Sequence, residues 1–237
     1  MDTVLATASV KCHDPNTRLS DESSRRESYL NACAWWLGNS AVRNLVVCEN
    51  SRDRLLGSML KQIARQKSKH FEYLSFDGDS QMTLTLGKGY GEGEIIKHAI
   101  KHSSLIANSG NGFYKITGRL TVSNFGEISK RIDTTANAFR LLSTRFRRSR
   151  MVDTRFFYVQ PEFYVANLVD VYTRVNDRAG RYLEHVFYDQ LVGNNLISGI
   201  PLYPLFIGKS ATTGAYYTDP RWVIAKRMAN RLHLYDL

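Results

Sequence analysis

The sequence predicts an α/β domain: a mostly parallel sheet flanked by helices, with an irregular C-terminal part. Three observations carry this. Short apolar runs alternate with amphipathic stretches through the first half, turn residues mark each change, and the composition is globular, with 43% apolar and 23% charged residues. The 237 residues show no linker, so one core is expected over 1–237, with a regular half (1–125) and a less regular one (126–237).

Residues 4–10 (VLATASV) have the make-up of a buried parallel strand, and 13–21 read as a polar loop. A helix is expected over 22–37, because Tyr29, Ala32, Cys33 and Trp36 recur at helical spacing. Ser20 or Asp21 can cap it and Gly38-Asn39 can stop it. The pattern then repeats: strand 44–48 (NLVVC), helix 55–65, and strand 71–76 (FEYLSF) closing at Asp77-Gly78-Asp79. Glycine-rich 87–93 leads into a helix over 94–104, whose Ile95, Ile96, Ala99 and Ile100 form one stripe, and 113–117 (FYKIT) is a further strand. In the second half, 133–142 and 161–176 read as helical, 154–159 (TRFFYV) as a strand, and 183–192 as a short amphipathic helix. A loop-rich tail follows from Asn195, with a last basic helix near 221–231.

Composition narrows the function classes. Three cysteines, Cys12, Cys33 and Cys48, stand singly without CxxC spacing, which reads as reduced thiols in a reducing compartment. The N-terminus has no basic segment leading into an apolar run, and nowhere do about 18 apolar residues follow one another. A cytoplasmic protein without a membrane span is expected. A net charge of +10 draws such a chain to polyanions: nucleic acid, anionic lipid or phosphorylated substrates. The charge gathers at 140–150 and 221–231. Both clusters suit peripheral contact with anionic lipid heads, and a solvated basic face accounts for them equally. Aromatic residues near the arginines (Phe139, Phe146, Phe156) keep a nucleic-acid-binding role as the alternative, but no RNP, KH or zinc pattern supports it.

The order VLATASV, NLVVCENS, GKGYGEGEIIKHAI, FYKITGRL resembles GT-A-type glycosyltransferases, notably glycosyltransferase family 2, over roughly residues 1–195. The resemblance implies a GT-A-like, Rossmann-like sheet. It implies a nucleotide-sugar-binding half at 1–125, and an acceptor-binding half with a basic tail at 126–237. It also implies transfer of a sugar from a nucleotide-sugar donor to a glycan or glycolipid acceptor in capsule, lipopolysaccharide or similar polysaccharide synthesis. Donor contacts are then expected at the end of the first strand (Thr7, Ser9) and after the second (Glu49, Asn50, Ser51). A helix cap at Asn50 or Ser51 would explain those last residues without a ligand.

One departure from the family pattern decides the expected mechanism. Where the family carries DxD carboxylates that chelate a divalent ion, this chain reads Thr117-Gly118-Arg119. Arginine is always charged and grips phosphate oxygens with two parallel hydrogen bonds. Metal-independent catalysis follows as the expectation, with no metal and no cofactor, and with Arg119, joined by Lys115 or Lys88, at the diphosphate; an Arg119 that simply pairs with a carboxylate at a strand end is the alternative. Asp77, Asp79 and Asp153 are the acids left for an ion under another arrangement.

Further candidates complete the picture. Gly89 and its neighbours offer a phosphate-cradling loop, with Lys88 on phosphate and Glu92 on sugar hydroxyls, though a plain tight turn is the alternative and neither a Walker A nor a GxGxxG pattern is met. The same loop leaves another nucleotide-dependent transferase open. Glu184, at the start of helix 183–192, falls where the resemblance implies a catalytic base, with His185 orienting or replacing it; a surface Glu-His pair that suits the helix dipole is the alternative. Asp153, which can also serve chemistry at the acceptor, precedes Arg155, Phe156 and Tyr158, a segment suited to binding sugar hydroxyls and stacking sugar rings, or simply to a core strand. Lys209, in the hydroxyl-rich stretch 208–214, can close over a nucleotide phosphate.

Overall fold

The computed structural model describes residues 2–12, 17–142, 150–192, 198–210, 214–217 and 228. Strand β1 (Asp2–Ala8) runs through the middle of the molecule. It is followed by α1 (Glu22–Gly38), β2 (Val42–Glu49), α2 (Arg54–Gln66), β3 (His70–Ser75), α3 (Ser80–Leu86) and α4 (Lys88–His102). A short α5 (Ser104–Ala107) leads to β4 (Phe113–Thr117), β5 (Thr121–Val122) and α6 (Phe125–Ser129). The second half contributes β6 (Phe156–Val159), α7 (Pro161–Asn167), α8 (Leu183–Val192) and β7 (Phe206–Ile207).

The main sheet has the order β3-β2-β1-β4-β6, and β5 pairs with β7 beside it. The first three neighbour pairs are parallel and β6 is antiparallel to β4. This is an α/β protein with a mostly parallel, Rossmann-like central sheet flanked by helices. The chain builds outward from β1 to β3 and then returns to the other side of β1 as β4. That reversal opens a crevice at the carboxyl ends of β1 and β4, where sheets of this kind receive ligands.

Alternation along the strands divides the core in two. Val4, Ala6, Leu45, Val47, Tyr114 and Ile116 face one layer with Tyr29, Cys33 and Trp36 of α1. Leu5, Val46, Cys48 and Phe113 face the other, with Ile95, Ile96 and Ala99 of α4 and Val186 and Phe187 of α8. Aspartates start three helices. Asp21, Asp53 and Asp79 accept from the backbone N–H of Ser24, Leu56 and Met82 at 2.7, 2.7 and 2.8 Å, removing one orphan donor at each helix start.

Three expectations are corrected. The glycines at 89, 91 and 93 form no loop, because α4 starts at Lys88 and includes them. Gly87, at φ 106°, is the joint between α3 and α4. The glycines inside α4 exist for packing: a Cβ on Gly93 would overlap the Cβ of Tyr172. Segment 133–142 is not helical. Thr135 bonds back to Asp133, and Ala138 exchanges backbone hydrogen bonds of 2.9 and 3.0 Å with Tyr158, so the segment runs along the open edge of β6. Helix is confined to Pro161–Asn167 within 161–176, with a 3-10 turn at Val171–Arg174. The basic helix expected near 221–231 lies outside the described residues apart from Met228, as do 143–149 of the first basic cluster and 211–213 of the hydroxyl-rich stretch.

Gly93 gives a test in which helix propensity and packing oppose each other. In an open helix, alanine for glycine gains about 1 kcal/mol. Here the added methyl meets Tyr172, and overpacking of this kind costs about 1–3 kcal/mol. Gly93→Ala is expected to lower the urea midpoint, whereas Gly126→Ala, with nothing near its added Cβ, leaves it unchanged or raises it.

Candidate active site

The crevice predicted by the sheet topology is a cleft of about 120 Å³. Thr7 and Ser9 enter it from β1, Asn50 from the turn after β2, Lys88 and Glu92 from α4, and Thr117 and Arg119 from the end of β4. Register explains the convergence: Thr7 is paired with both Cys48 and Thr117 across the parallel ladder. Gly118 then continues the ladder, its N–H donating to the Thr7 carbonyl at 2.9 Å. A Cβ on Gly118 would lie 2.6 Å from that same oxygen, so its smallness serves the close approach of two strands and brings Arg119 to the cleft.

The floor of the cleft is a buried charge network. Lys115 is fully buried and its ammonium is ion-paired with Glu92. It also donates to the Thr154 carbonyl at 2.6 Å. Thr7 and Thr117 donate to the same Glu92 oxygen at 3.3 and 3.2 Å. Burial raises the Glu92 carboxyl, but the Lys115 charge, the hydrogen bonds from Lys115 and Thr117 and the nearby Lys88 outweigh it and hold the group below the usual carboxylate range. Its side chain keeps 25% exposure, enough to present an ionised carboxylate to the cleft. Lys115 lies beneath the site rather than in it.

Two cleft residues carry polar atoms without protein partners. Arg119 Nε and Nη1, and Asn50 Oδ1, are shielded from solvent and make no hydrogen bond among the described residues. Buried polar atoms are normally satisfied, so a cluster of unsatisfied ones at a crevice is a functional signal. The Arg119 guanidinium also sits 5.8 Å from the centre of the Tyr29 ring, a cation–π distance.

Arg25, Tyr29 and Thr83 line the cleft as well and were not anticipated. Buried Arg25 donates to the carbonyls of Ser9 (from Nε at 2.8 Å) and Leu19 (at 2.9 Å), and the Tyr29 hydroxyl accepts from the Ser9 N–H at 3.1 Å. Tyr29 belongs to the predicted apolar stripe of α1. An arginine one turn before that stripe, just after the β1 loop, was the available signal.

Several expected site residues have other duties. Glu49 is fully buried and accepts from the N–H of Val10, Ser51 and Asp53 at 3.0, 2.9 and 2.9 Å. Ser51 bonds to Glu49 and accepts from the Lys11 N–H, so both residues brace the β1 and β2 loops. The Gly89 N–H donates to the Asp177 carboxylate at 3.1 Å, so a protein acid already occupies the start of α4. Lys209 stands not in this cleft but in a neighbouring cavity. Phe156 and Tyr158 are core residues, 1% and 2% exposed, because β6 packs on both faces. Asp153, 1% exposed, is clamped by Arg155 at 2.7 and 2.8 Å and by Arg140 at 3.2 Å. That clamp holds the second half together and leaves neither Asp153 nor Arg155 free for an acceptor. Asp77 pairs with Arg52 at 2.9 Å, and Asp79 is the cap of α3. Among the described residues no three His, Cys, Asp or Glu side chains converge as a metal site would require.

Glu184 lines neither cavity; it accepts from the Thr154 hydroxyl at 2.9 Å behind Lys115. Burial pushes its carboxyl up, with Glu92 and Asp153 adding to the rise. His185 Nδ1 accepts from the Tyr182 N–H at 3.1 Å and stacks on Tyr182, which fixes it at the start of α8. The cysteines are free, and burial pushes the Cys33 thiol up to about 12. No described helix is long and apolar enough to cross a membrane.

The Asp153 clamp predicts an acid dependence. Burial alone would raise this carboxyl, but Arg155 and Arg140 hold it below its ordinary value. A depressed folded pKa means that its contribution is complete above the unfolded value of about 3.9 and is lost as pH falls through the folded one. Urea unfolding of Asp153→Asn is expected to show lower stability at pH 7 and a flatter decline below about pH 4 than the parent protein.

Comparison of the chain with protein-family models finds no match, and neither does comparison with curated proteins.

Proposed function

We propose that this protein is a metal-independent glycosyltransferase of the GT-A type, moving a sugar from a nucleotide-sugar donor to a glycan or glycolipid acceptor. The observation that carries the proposal is Arg119: a guanidinium at the crevice between β1 and β4 with two nitrogens that make no hydrogen bond among the described residues. A diphosphate in the cleft would bring acceptor oxygens and negative charge to this permanently charged group. Lys88, exposed at the start of α4, adds charge on the same side, and the Glu92 carboxylate accepts from sugar hydroxyls. In the transfer, the acceptor hydroxyl oxygen bonds to the anomeric carbon and gives up its proton to solvent, the bond from that carbon to the diphosphate oxygen breaks, and the nucleoside diphosphate leaves with the electron pair. Arg119 stabilises the charge that builds on the departing oxygen, the duty for which related enzymes use a metal ion.

A thermal-shift screen of UDP-, GDP- and dTDP-sugars, whose leaving group is a nucleoside diphosphate, run in EDTA and in Mn²⁺, tests this. At 100 times its dissociation constant, a true donor stabilises by about 2.7 kcal/mol, and the shift is expected in EDTA. Absence of a shift with every donor would contradict the assignment, and a shift that requires Mn²⁺ would contradict the role given to Arg119.

A further inference from the structure

Beyond Arg119 lies a second, larger cavity of about 640 Å³, within the roughly 300–1,000 Å³ of small-molecule sites. One wall is a single face of α1. Ser24, Ser28, Asn31 and Trp35 recur at intervals of four, three and four residues, so they stand in one row along the helix. The adjacent row, Arg25, Tyr29, Ala32, Cys33 and Trp36, is buried. The opposite wall is the β5–β7 pair and the chain after it, with Lys209 and the 67% exposed Tyr216.

From this arrangement we infer that the cavity is a saccharide-binding site that receives the acceptor. This rests on the glycosyltransferase proposal for its functional meaning, and three observations support it. Trp35 is held edge-on by fully buried Trp36 at 4.9 Å between ring centres, and the Trp36 indole is itself fixed by its 2.9 Å bond to the Leu120 carbonyl. A rigid aromatic therefore reaches the cavity wall at small entropic cost. Hydroxyl, amide and carboxylate groups (Ser24, Ser28, Asn31, Glu27) stand on the same wall as that ring. Aromatic surface beside hydrogen-bond donors and acceptors suits a sugar, whose ring has apolar faces and hydroxyl edges. Lastly, Arg119 belongs to both cavities, so an acceptor here lies next to the group assigned to the leaving diphosphate. Of the acceptor residues expected at 155–158, Arg155 is held by Asp153 and Phe156 and Tyr158 are core, which makes this cavity the candidate beside the cleft.

Saturation-transfer NMR with a fixed panel of glucose, galactose, N-acetylglucosamine, rhamnose and glucuronic acid tests the assignment. Binding of at least one panel sugar is expected. Asn31→Ala, which exchanges an exposed helical residue for a better helix former, is expected to weaken it about fivefold, the effect of one lost hydrogen bond. Asn31→Trp, which fills the cavity, is expected to abolish it. Both variants should keep the nucleotide-sugar thermal shift. If no panel sugar binds, or binding survives Asn31→Trp, the inference is overturned. Sugar binding without any nucleotide-sugar shift would leave the saccharide site standing and remove the glycosyltransferase proposal instead.

Discussion

On the proposed glycosyltransferase reading, replacing Arg119 with alanine is expected to lower sugar transfer by about 10²–10³-fold in kcat, the effect of deleting one preorganised group that stabilises transition-state charge. The stability of the protein should stay within about 1 kcal/mol of the parent, the scale of the lost cation–π contact with Tyr29. These two outcomes belong together. Most buried arginines hold the fold, and their loss strands a partner. Arg119 Nε and Nη1 have no partner among the described residues, so its loss strands nothing, while the cleft loses its donors. Arg119→Lys keeps the charge but not the fork of parallel donors, and should fall between the two. Steady-state transfer assays and urea unfolding on the same preparations check the pair. A large loss of stability with Arg119→Ala would show a structural residue, and unchanged kcat would show a bystander.

Lys115→Met is expected to act in the opposite way, on the fold. It removes the cation from an ion pair whose lysine is fully buried and leaves Glu92 charged beside an apolar layer. Breaking such a pair costs about 3–5 kcal/mol, and a quarter of the Glu92 side chain being exposed places the loss toward the lower end. With the lysine gone, burial acts unopposed and the Glu92 carboxyl rises. The variant should therefore recover part of its stability as pH falls, because protonation removes the stranded charge. Lys115→Met combined with Glu92→Gln should restore most of the loss at pH 7, since the coupling between neighbours is what a double substitution exposes. Urea unfolding at pH 7 and pH 5 measures both effects.

In the first half, β1 to β4 and α1, α2 and α4 were legible because each carried its own signal, whereas α3, α5 and β5 were not anticipated. Apolar runs marked β1, β2 and β4 within two residues at either end, and Asp21 and the Ile95, Ile96, Ala99 stripe marked α1 and α4. Position relative to strand ends also drew attention to Thr7, Asn50, Thr117 and Arg119, all of which line the cleft. Local signals failed where tertiary contacts chose the outcome. The glycines of α4 look like a loop until Tyr172 packs over Gly93, a contact between residues far apart in sequence. Segment 133–142 has helical spacing, yet the unpaired edge of β6 captures it as an extended chain. Asp153 and Arg155 look like binding groups because they are charged and stand beside aromatics. Arg140, thirteen residues away, turns them into a closed clamp. Arg25 was overlooked for the converse reason: a charge next to a buried stripe reads as surface until the β1 loop folds over it.

The most direct measurement is a crystal structure of the protein with the nucleoside diphosphate of whichever donor gives the largest thermal shift, grown in EDTA. The account predicts diphosphate oxygens within about 3 Å of the Arg119 guanidinium nitrogens, in the crevice between the ends of β1 and β4. A diphosphate bound elsewhere, or bound in that crevice with Arg119 turned away from it, would contradict the account.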